Sequence, residues 1–343
     1  MKRGRIVEWD CLACSRRATR REFLIGLGAL GGASLVPGLA SGQTQPFRID
    51  VHHHFASPGY VAEIMKRKAG NPTYWEWTPQ VSLDEMDENA VATAMLSSSR
   101  PGVWFGDVAL ARSLSRDLNE FGARVVADHP GRFGLLATLP LPDVEGTLLE
   151  IEHAYDVLNA DGVAMMSSYD DIYLGDPRLA PVMEELNRRN AIVYEHPIRE
   201  DRENPLNGIE LVTDTTRTIA SLLYNGTVVS FPDIRFVFAH GGGTVASIAG
   251  RLGRLGENLP NGLIYELQKF YYDTGQAYQR PLLASYKALA PVSHIVFGTD
   301  FPFRGTTVTA EGLRENGGFS DAELRAIERE NALQLWPRFD GGV

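Results

Sequence analysis

The sequence predicts an α/β fold in the form of a barrel, and three observations support this prediction. After residue 46, short apolar runs alternate with longer amphipathic runs. Eight such strand–helix units fit into about 290 residues, which is the size of a (β/α)8 TIM barrel. No Gly-x-Gly-x-x-Gly follows the first strand, which weakens the alternative of a doubly wound, dinucleotide-binding open sheet.

The predicted strands are short apolar segments: Phe47–Phe55, Val91–Ser98, Arg132–Leu139, Gly162–Ser168, Ala191–His196, Arg235–His240, Phe270–Asp273 and His294–Asp300. Helices are predicted between them, most clearly at Val108–Ala127, Val144–Leu158, Leu179–Asn190 and Thr215–Asn225. A closing helix is predicted at Asn331–Trp336. Residues 56–90 form a long insertion between strands 1 and 2. Because an insertion after a barrel strand lies over the C-terminal mouth, this one is predicted to form a lid.

The first 45 residues are predicted to lie outside the barrel, as an export signal and a short linker. The segment Thr19-Arg20-Arg21-Glu22-Phe23-Leu24 resembles the twin-arginine (Tat) signal, and an apolar run extends from Leu24 to Leu39. Glycines and Pro37 interrupt this run, and it is shorter than the roughly 20 apolar residues that a membrane span needs. We therefore expect export by the Tat machinery to the periplasm or the exterior, and a barrel domain over residues 46–343.

Composition excludes some classes of partner. The chain has 343 residues, of which 44% are hydrophobic and 22% are charged, as in a soluble globular protein. Residues 1–40 hold seven Lys/Arg and three Asp/Glu, which leaves 26 basic and 40 acidic residues and a net charge of −14. This charge opposes binding to nucleic acids or anionic membranes. Both cysteines, Cys11 and Cys14, precede the apolar run, so cleavage would leave no thiol for catalysis or disulfides.

Five of the eight histidines lie at or near the C-terminal ends of predicted strands: His52, His53, His54, His196 and His240. Since strand side chains alternate, His52 and His54 share one face and His53 points to the other. Two imidazoles on one face can hold zinc, iron, copper or nickel. Barrel strand ends converge at one mouth, so His196, His240 and Asp300 are expected nearby. The other three, His129, His153 and His294, are assigned to structure or surface.

The constellation of His-x-His on strand 1, histidines on strands 5 and 6 and an aspartate on strand 8 resembles the amidohydrolase superfamily. The chain is similar to the branch that contains aminocarboxymuconate semialdehyde decarboxylase and 6-methylsalicylate decarboxylase. The resemblance covers residues 46–337 and includes Ile49–Phe55, Tyr173–Arg178, Val193–Pro197, Phe238–Gly243 and Gly298–Pro302. It implies His52, His54, His196 and Asp300 as metal ligands, His240 and Asp300 as acid/base residues, and a homodimer.

One metal ion is expected. Two-metal members of the superfamily commonly carry a carbamylated lysine on strand 4, whereas Gly162–Ser168 contains no lysine. Zn²⁺ is the first expectation and Mn²⁺ the second, because nitrogen and oxygen ligands do not separate them. Glu195 departs from the branch, in which a hydrophobic residue is usual. It is expected to point away from His196, either in an ion pair or as a support for a ligand.

The resemblance leaves two reactions open. One is non-oxidative decarboxylation of a small aromatic or enoic acid, and the other is metal-dependent hydrolysis or hydration of a lactone, amide or unsaturated acid. A ligand-binding protein with a vestigial site is a third class, which the intact ligand set opposes. Aromatic residues suit an apolar pocket, and arginines can clamp a carboxylate. The candidate substrate residues on predicted mouth loops are Phe55, Trp77, Arg100, Arg199 and Phe301.

Overall fold

A computed structural model describes residues 47–198 and 206–341 of the chain. The predicted export signal, both cysteines and Arg199 lie outside the described residues. Within the two described ranges, no helix has both the length and the apolar composition that crossing a membrane requires.

The centre of the fold is an eight-stranded parallel sheet in which each strand pairs with the next one along the chain. The strands are β1 Arg48–His54, β2 Val91–Ser97, β3 Phe133–Thr138, β4 Gly162–Met166, β5 Ile192–His196, β6 Arg235–Phe238, β7 Tyr271–Asp273 and β8 Ile295–Val296. A separate two-stranded hairpin of Ser168–Tyr169 and Ile172–Tyr173 follows β4. These bounds confirm the order and position of the predicted strands.

The sheet returns on itself to form a nearly closed barrel. After β8 the chain runs beside β1, where the Val51 N–H donates to Phe297 O at 2.9 Å and the His54 N–H donates to Phe301 O at 2.8 Å. The Asp300 N–H donates to His52 O at 2.9 Å. The strand predicted at His294–Asp300 is thus regular only over two residues, because its second half pairs irregularly with β1. The predicted (β/α)8 TIM barrel is confirmed.

Helices surround the barrel and connect its strands. Their bounds are α1 Pro58–Lys66, α2 Pro72–Trp75, α3 Pro79–Glu88, α4 Val108–Asp128, α5 Val144–Asp156, α6 Ala180–Arg188, α7 Asn207–Tyr224, α8 Thr227–Ser230, α9 Val245–Ile248, α10 Leu263–Lys269, α11 Arg280–Leu289, α12 Thr306–Asn316, α13 Asp321–Arg325 and α14 Asn331–Leu335. The predicted helices agree with α4, α5, α6 and α14 to within two residues at each end. Helix α7 begins eight residues earlier than predicted.

The barrel interior below the mouth is filled by apolar side chains, including Ile49, Val51, Tyr194 and Val296. Trp336 belongs to the same cluster, and its indole N–H donates to the Asp161 carbonyl oxygen at 3.0 Å. The C-terminal residues of the chain therefore pack against the end of the barrel at which the strands begin, opposite to the mouth. Side chains with polar chemistry are left for the C-terminal mouth, as is usual in this fold.

Three helices, α1, α2 and α3, lie in the insertion after β1. Ser57 caps α1 and donates to Asp117 of α4. The buried Tyr74 hydroxyl of α2 donates to Phe55 O and accepts the Ser99 N–H at 3.1 Å. The insertion is thus hydrogen-bonded to the chain just beyond β1 and β2.

Candidate metal centre and active site

Four of the predicted site residues converge at the mouth of the barrel. His52 and His54 end β1, His196 ends β5, and Asp300 follows β8. One ligand atom from each lies within 4.8 Å of those of the others. His52 Nε2 and His54 Nε2 are 3.0 Å apart, and each is 3.1 Å from Asp300 Oδ1. All four side chains are buried.

The far nitrogens of the three imidazoles face acceptors. His52 Nδ1 lies 2.8 Å from Asp273 Oδ2, His54 Nδ1 lies 3.3 Å from Ser97 O, and His196 Nδ1 lies 2.9 Å from Pro197 O. These acceptors favour a hydrogen on each Nδ1 and leave each Nε2 lone pair directed at the cluster. Ligand histidines in metal proteins are oriented in the same way.

The donor set fits one divalent cation. Three Nε2 atoms and a carboxylate oxygen lie close together, and His196 Nε2 is buried with no hydrogen-bond partner in the described part of the chain. Unpaired buried polar atoms are costly, and a cation would satisfy all four atoms at once. No second group of three or more such side chains is found among the described residues. A single ion is therefore what this site can hold.

Buried carboxylates control the charge of the site. Burial by itself disfavours the charged imidazole of His52, but Asp273 and Asp300 outweigh burial and raise its pKa to about 10. Burial lowers the pKa of His54 to about 4, and burial with neighbouring histidine charges lowers the pKa of His196 well below its usual range. The lowered pKa values favour the neutral form of His54 and His196 that metal ligation needs, whereas metal binding at His52 would compete with a proton.

His240 lies beside the ligand group on the turn after β6. Its ring centroid is 5.0 Å from that of His52 and 5.6 Å from that of His196. Its Nδ1 donates to Gly275 O at 2.8 Å, which leaves Nε2 available for a substrate. Burial lowers the pKa of His240, so the imidazole is neutral. These properties fit a group that exchanges a proton with a bound molecule.

Asp273 contacts both the proposed ligand His52 and the backbone of His240. Its Oδ2 faces His52 Nδ1 and accepts the Tyr194 hydroxyl at 2.8 Å. Its Oδ1 accepts the backbone N–H groups of His240 at 2.9 Å and of Gly275 at 2.8 Å. The carboxylate is fully buried, so Asp273 orients His52 and is not a solvated surface residue.

His53 points away from the ligand group, as strand alternation predicted. Its Nδ1 lies 3.0 Å from Asp50 Oδ2 and its Nε2 lies 2.8 Å from Ser82 Oγ. This is the connectivity of a serine nucleophile with its histidine and aspartate. All three side chains are buried, however, and Ser82 Oγ also accepts the Trp77 indole N–H at 2.8 Å. The chain of hydrogen bonds is therefore a packing feature behind β1.

Three of the five candidate substrate residues face away from the mouth. Phe55 and Trp77 are buried and pack against each other and against Phe121 of α4. Phe301 stacks on His53 with ring centroids 4.6 Å apart. The prediction that these three line the substrate pocket was wrong. Its cause is alternation, because Phe55 and Phe301 follow residues that face inward and so face outward themselves.

The two candidate arginines have different outcomes. Arg100 follows β2 at the mouth and is half-buried, with Nε and Nη1 shielded from solvent. Its role as a carboxylate clamp stays a prediction. Arg199 lies outside the described residues. Glu195 points away from His196 as expected, but it is fully buried and accepts the Thr215 hydroxyl at 3.2 Å.

Other aromatic side chains lie near the site. The Phe303 ring centroid is 5.6 Å from that of His54, and Tyr74 is 6.5 Å from His54 and 5.8 Å from Phe303. Sequence reasoning missed Tyr74, although it lies in the aromatic insertion between Pro72 and Trp75. The position of the insertion directly after the His-x-His strand was the signal that could have found it.

A cavity of about 340 Å³ lies between residues that follow β2, β4 and β5, and neither the four ligand residues nor His240 line it. Its walls include Gly102, Trp104, Met166, Asp170 and Ile198. Met166 is the register partner of His196 on the adjacent strand, and Ile198 follows His196 by two residues. The Trp104 indole N–H donates to Asp170 Oδ2 at 2.7 Å. The cavity is of the size that small-molecule ligands occupy.

A barrel whose strand ends carry a buried His₃Asp group defines a class of metal-dependent barrel enzymes. A family model described as amidohydrolase matches residues 49–338, so the chain belongs to the amidohydrolase family. The chain is 34% identical over 324 residues to the decarboxylase yanB of Aspergillus niger, covering 85% of this chain and 88% of that protein. It is 29% identical over 316 residues to the 6-methylsalicylic acid decarboxylase of Penicillium expansum, covering 86% and 97%.

Solved structures agree on the fold. A dihydroxybenzoic acid decarboxylase from Polaromonas sp. JS666, solved with manganese and 2-nitroresorcinol bound, superposes with a TM-score of 0.73. The identity is 21%, and the match covers 85% of this chain and 97% of that one. The predicted resemblance to the decarboxylase branch of the superfamily is confirmed, and the chain is an enzyme of this branch.

Proposed function

We propose that the protein is a metal-dependent, non-oxidative decarboxylase of a small aromatic carboxylic acid. The observation that carries this proposal is the buried His₃Asp ligand group, with His240 beside it, whose Nε2 has no partner among the described residues. The named decarboxylases among the relatives support the same reaction. The cavity lined by Met166 and Ile198, at about 340 Å³, has a volume that suits a substrate with a single ring.

The reaction needs one proton at the ring carbon that carries the carboxylate. A divalent ion, when bound, supplies Lewis-acid stabilisation of the negative charge on substrate oxygens. His240 holds its Nδ1 hydrogen against Gly275 O, and its Nε2 has no partner among the described residues, so Nε2 can take up a proton from solvent water and pass it to the ring carbon. Once the ring carbon is protonated, the carbon–carbon bond breaks, carbon dioxide leaves, and the ring regains aromaticity with hydrogen in place of the carboxylate.

The described contacts favour His240 over Asp300 as the proton carrier. Asp300 Oδ1 belongs to the ligand group, and Oδ2 accepts a hydrogen bond from the Gln276 amide. Both Asp300 oxygens are therefore already in contact with other site residues. An ionised carboxylate with both oxygens engaged is a ligand rather than an acid.

The test is a substrate panel with the metal-loaded, full-length protein. Hydroxybenzoic acids with a hydroxyl group next to the carboxylate should release carbon dioxide, and the His196→Ala variant should not release it. Lactones and amides form the comparison set. If these are cleaved while no acid loses carbon dioxide, the hydrolytic alternative replaces the decarboxylase.

For the metal we propose Zn²⁺ first and Mn²⁺ second. Imidazole nitrogens and one carboxylate oxygen are common zinc ligands, and manganese accepts the same set. Elemental analysis of the purified protein should find close to one ion per chain. A content near two per chain would contradict the single-ion site.

We also propose that the insertion of residues 56–90, which contains α1, α2 and α3, acts as a lid over the site. The support is Tyr74, whose ring lies 6.5 Å from that of His54 while its hydroxyl bonds to the chain beyond β1 and β2. Release of this anchor should change substrate affinity.

Export by the twin-arginine route is proposed from the sequence alone. Its support is the Arg20-Arg21 pair followed by an apolar run that ends in small residues. In a bacterial host with this pathway, the wild type should be recovered in the periplasmic or secreted fraction. The double variant Arg20→Lys, Arg21→Lys should stay in the cytoplasm; equal distribution of the two proteins contradicts the proposal.

A further inference from the structure

The loop after β7, residues 273–276, contributes no proposed metal ligand, yet it contacts three of the proposed site residues. Asp273 faces His52 and holds the backbone of His240. Gly275 O accepts the hydrogen of His240 Nδ1 at 2.8 Å. The Gln276 side-chain amide donates from Nε2 to Asp300 Oδ2. One short loop therefore holds three of the proposed site residues in place.

The Gln276 bond separates the roles of the two Asp300 oxygens. Oδ1 lies 3.1 Å from both His52 Nε2 and His54 Nε2, whereas Oδ2 accepts the Gln276 amide. The terminal torsion of an aspartate is soft, so a carboxylate held at one oxygen only can rotate. The second contact fixes the plane of the carboxylate and keeps Oδ1 in the ligand group.

The backbone around this contact is unusual. Gln276 has a φ of 51° and Asp300 has a φ of 70°, both in the left-handed region that residues other than glycine rarely adopt. A Cβ on Gly275 would lie 2.5 Å from His52 Nδ1, so only glycine allows the loop to pass this close. The loop conformation thus brings the Gln276 side chain over Asp300.

We propose that Gln276 is a positioning residue of the metal centre. Its amide holds Asp300 by Oδ2 so that Oδ1 completes the ligand group with His52, His54 and His196. The inference rests on the proposed function only in that the site binds a divalent ion. It does not depend on which acid is decarboxylated.

The experiment compares two identical substitutions on one loop. Gln276→Met keeps the length of the side chain and removes the N–H donor. Gln279→Met makes the same change three residues later, at an exposed position before α11. Affinities of the metal-stripped full-length proteins for Zn²⁺ and Mn²⁺ are measured by competition with a chromophoric chelator. We expect roughly 10- to 100-fold weaker binding for Gln276→Met, the range seen when partners of metal ligands are removed, and no change for Gln279→Met.

Gln276→Ala repeats the test with a smaller side chain, and thermal unfolding of the metal-free variants verifies that they fold. Wild-type metal affinity in both Gln276 variants overturns the proposal. Equal weakening in Gln279→Met overturns it as well, because the effect would then belong to the loop in general. Tight metal binding by a wild type that decarboxylates no acid contradicts the proposed function and leaves this inference standing.

Discussion

At the scale of single residues, His240 shows how local backbone conformation serves the site. It has φ 54° and ψ 40°, which is rare for a residue with a side chain. Two contacts hold it there, from its N–H to Asp273 Oδ1 and from its Nδ1 to Gly275 O. Strain of this kind costs on the order of 1–3 kcal/mol and persists where the surroundings determine it. The result is an imidazole whose Nε2 has no partner in the described part of the chain.

The variant His240→Asn tests the role of this imidazole. Asparagine tolerates the left-handed backbone, so the loop should keep its shape. We expect kcat to fall by roughly 10²- to 10⁴-fold, the usual contribution of a general acid or base, with the metal content unchanged. Steady-state kinetics and elemental analysis give the two readouts.

His294→Asn is the control, since His294 is half-buried and precedes β8 at the opposite rim. It should match the wild type in both measurements. Loss of the metal from His240→Asn would instead identify His240 as a ligand, and an unchanged kcat would remove it from the reaction.

At the scale of elements, β1 departs from a regular strand where the site begins. Asp50 pairs with Ala94 and His53 with Leu96, so three steps in β1 match two steps in β2. This is a β-bulge, which re-aims side chains and is common beside active sites. It lets Asp50 and His53 lie on the same outer side while His52 and His54 face the mouth. Period-2 alternation predicted the histidines correctly, but it cannot show the extra residue.

The insertion after β1, in which α1 and α2 lie, also has a functional consequence. Tyr74→Phe removes the hydroxyl that bonds Phe55 O and the Ser99 N–H, both in the buried region beyond the strand ends. Leaving these groups without a partner should cost about 1–3 kcal/mol. We expect faster amide hydrogen exchange over residues 58–75 and a raised KM.

Tyr265→Phe serves as the matched control, because Tyr265 is half exposed on α10. It should leave exchange and KM as in the wild type. Should Tyr74→Phe loosen residues 58–75 without any change in KM, the insertion packs on the barrel but does not act as a lid.

At the scale of the whole molecule, the ligand group spans the seam where the barrel closes. His52 and His54 come from β1, Asp300 follows β8, and His196 comes from β5 on the other side of the barrel. A cation bound by all four side chains would connect β1 and β8, which meet at the seam, with β5 on the other side of the barrel. An ion that binds the folded state and not the unfolded state must stabilise the whole domain.

Metal addition and removal therefore test the site through stability. At a free metal concentration of 100 times Kd, unfolding should cost about 2.7 kcal/mol more than for the metal-free protein. A chelator should reverse the shift in Tm, and His196→Ala should reduce it. A Tm that is insensitive to Zn²⁺ and Mn²⁺ would show that the four side chains do not form a metal centre.

The sequence by itself determined the order of strands and helices, because apolar periodicity is local. It also determined the set His52, His54, His196, His240 and Asp300, because parallel barrel strands end at one mouth. The tertiary structure decided in which direction the site side chains point and which residues hold them in place. The bulge in β1 puts Asp50 and His53 on one outer side, and the irregular pairing after β8 brings Phe301 beside His53.

The contacts that hold the site residues in place were also decided by the tertiary structure. Asp273 and Gln276 reach His52 and Asp300 across 221 and 24 positions of the chain, and Tyr74 approaches His54 from the insertion. Such contacts depend on how loops fold over the strand ends, for which no periodic pattern exists in the sequence. The chemistry of the ligands was therefore predictable from the chain, and the geometry that holds them was not.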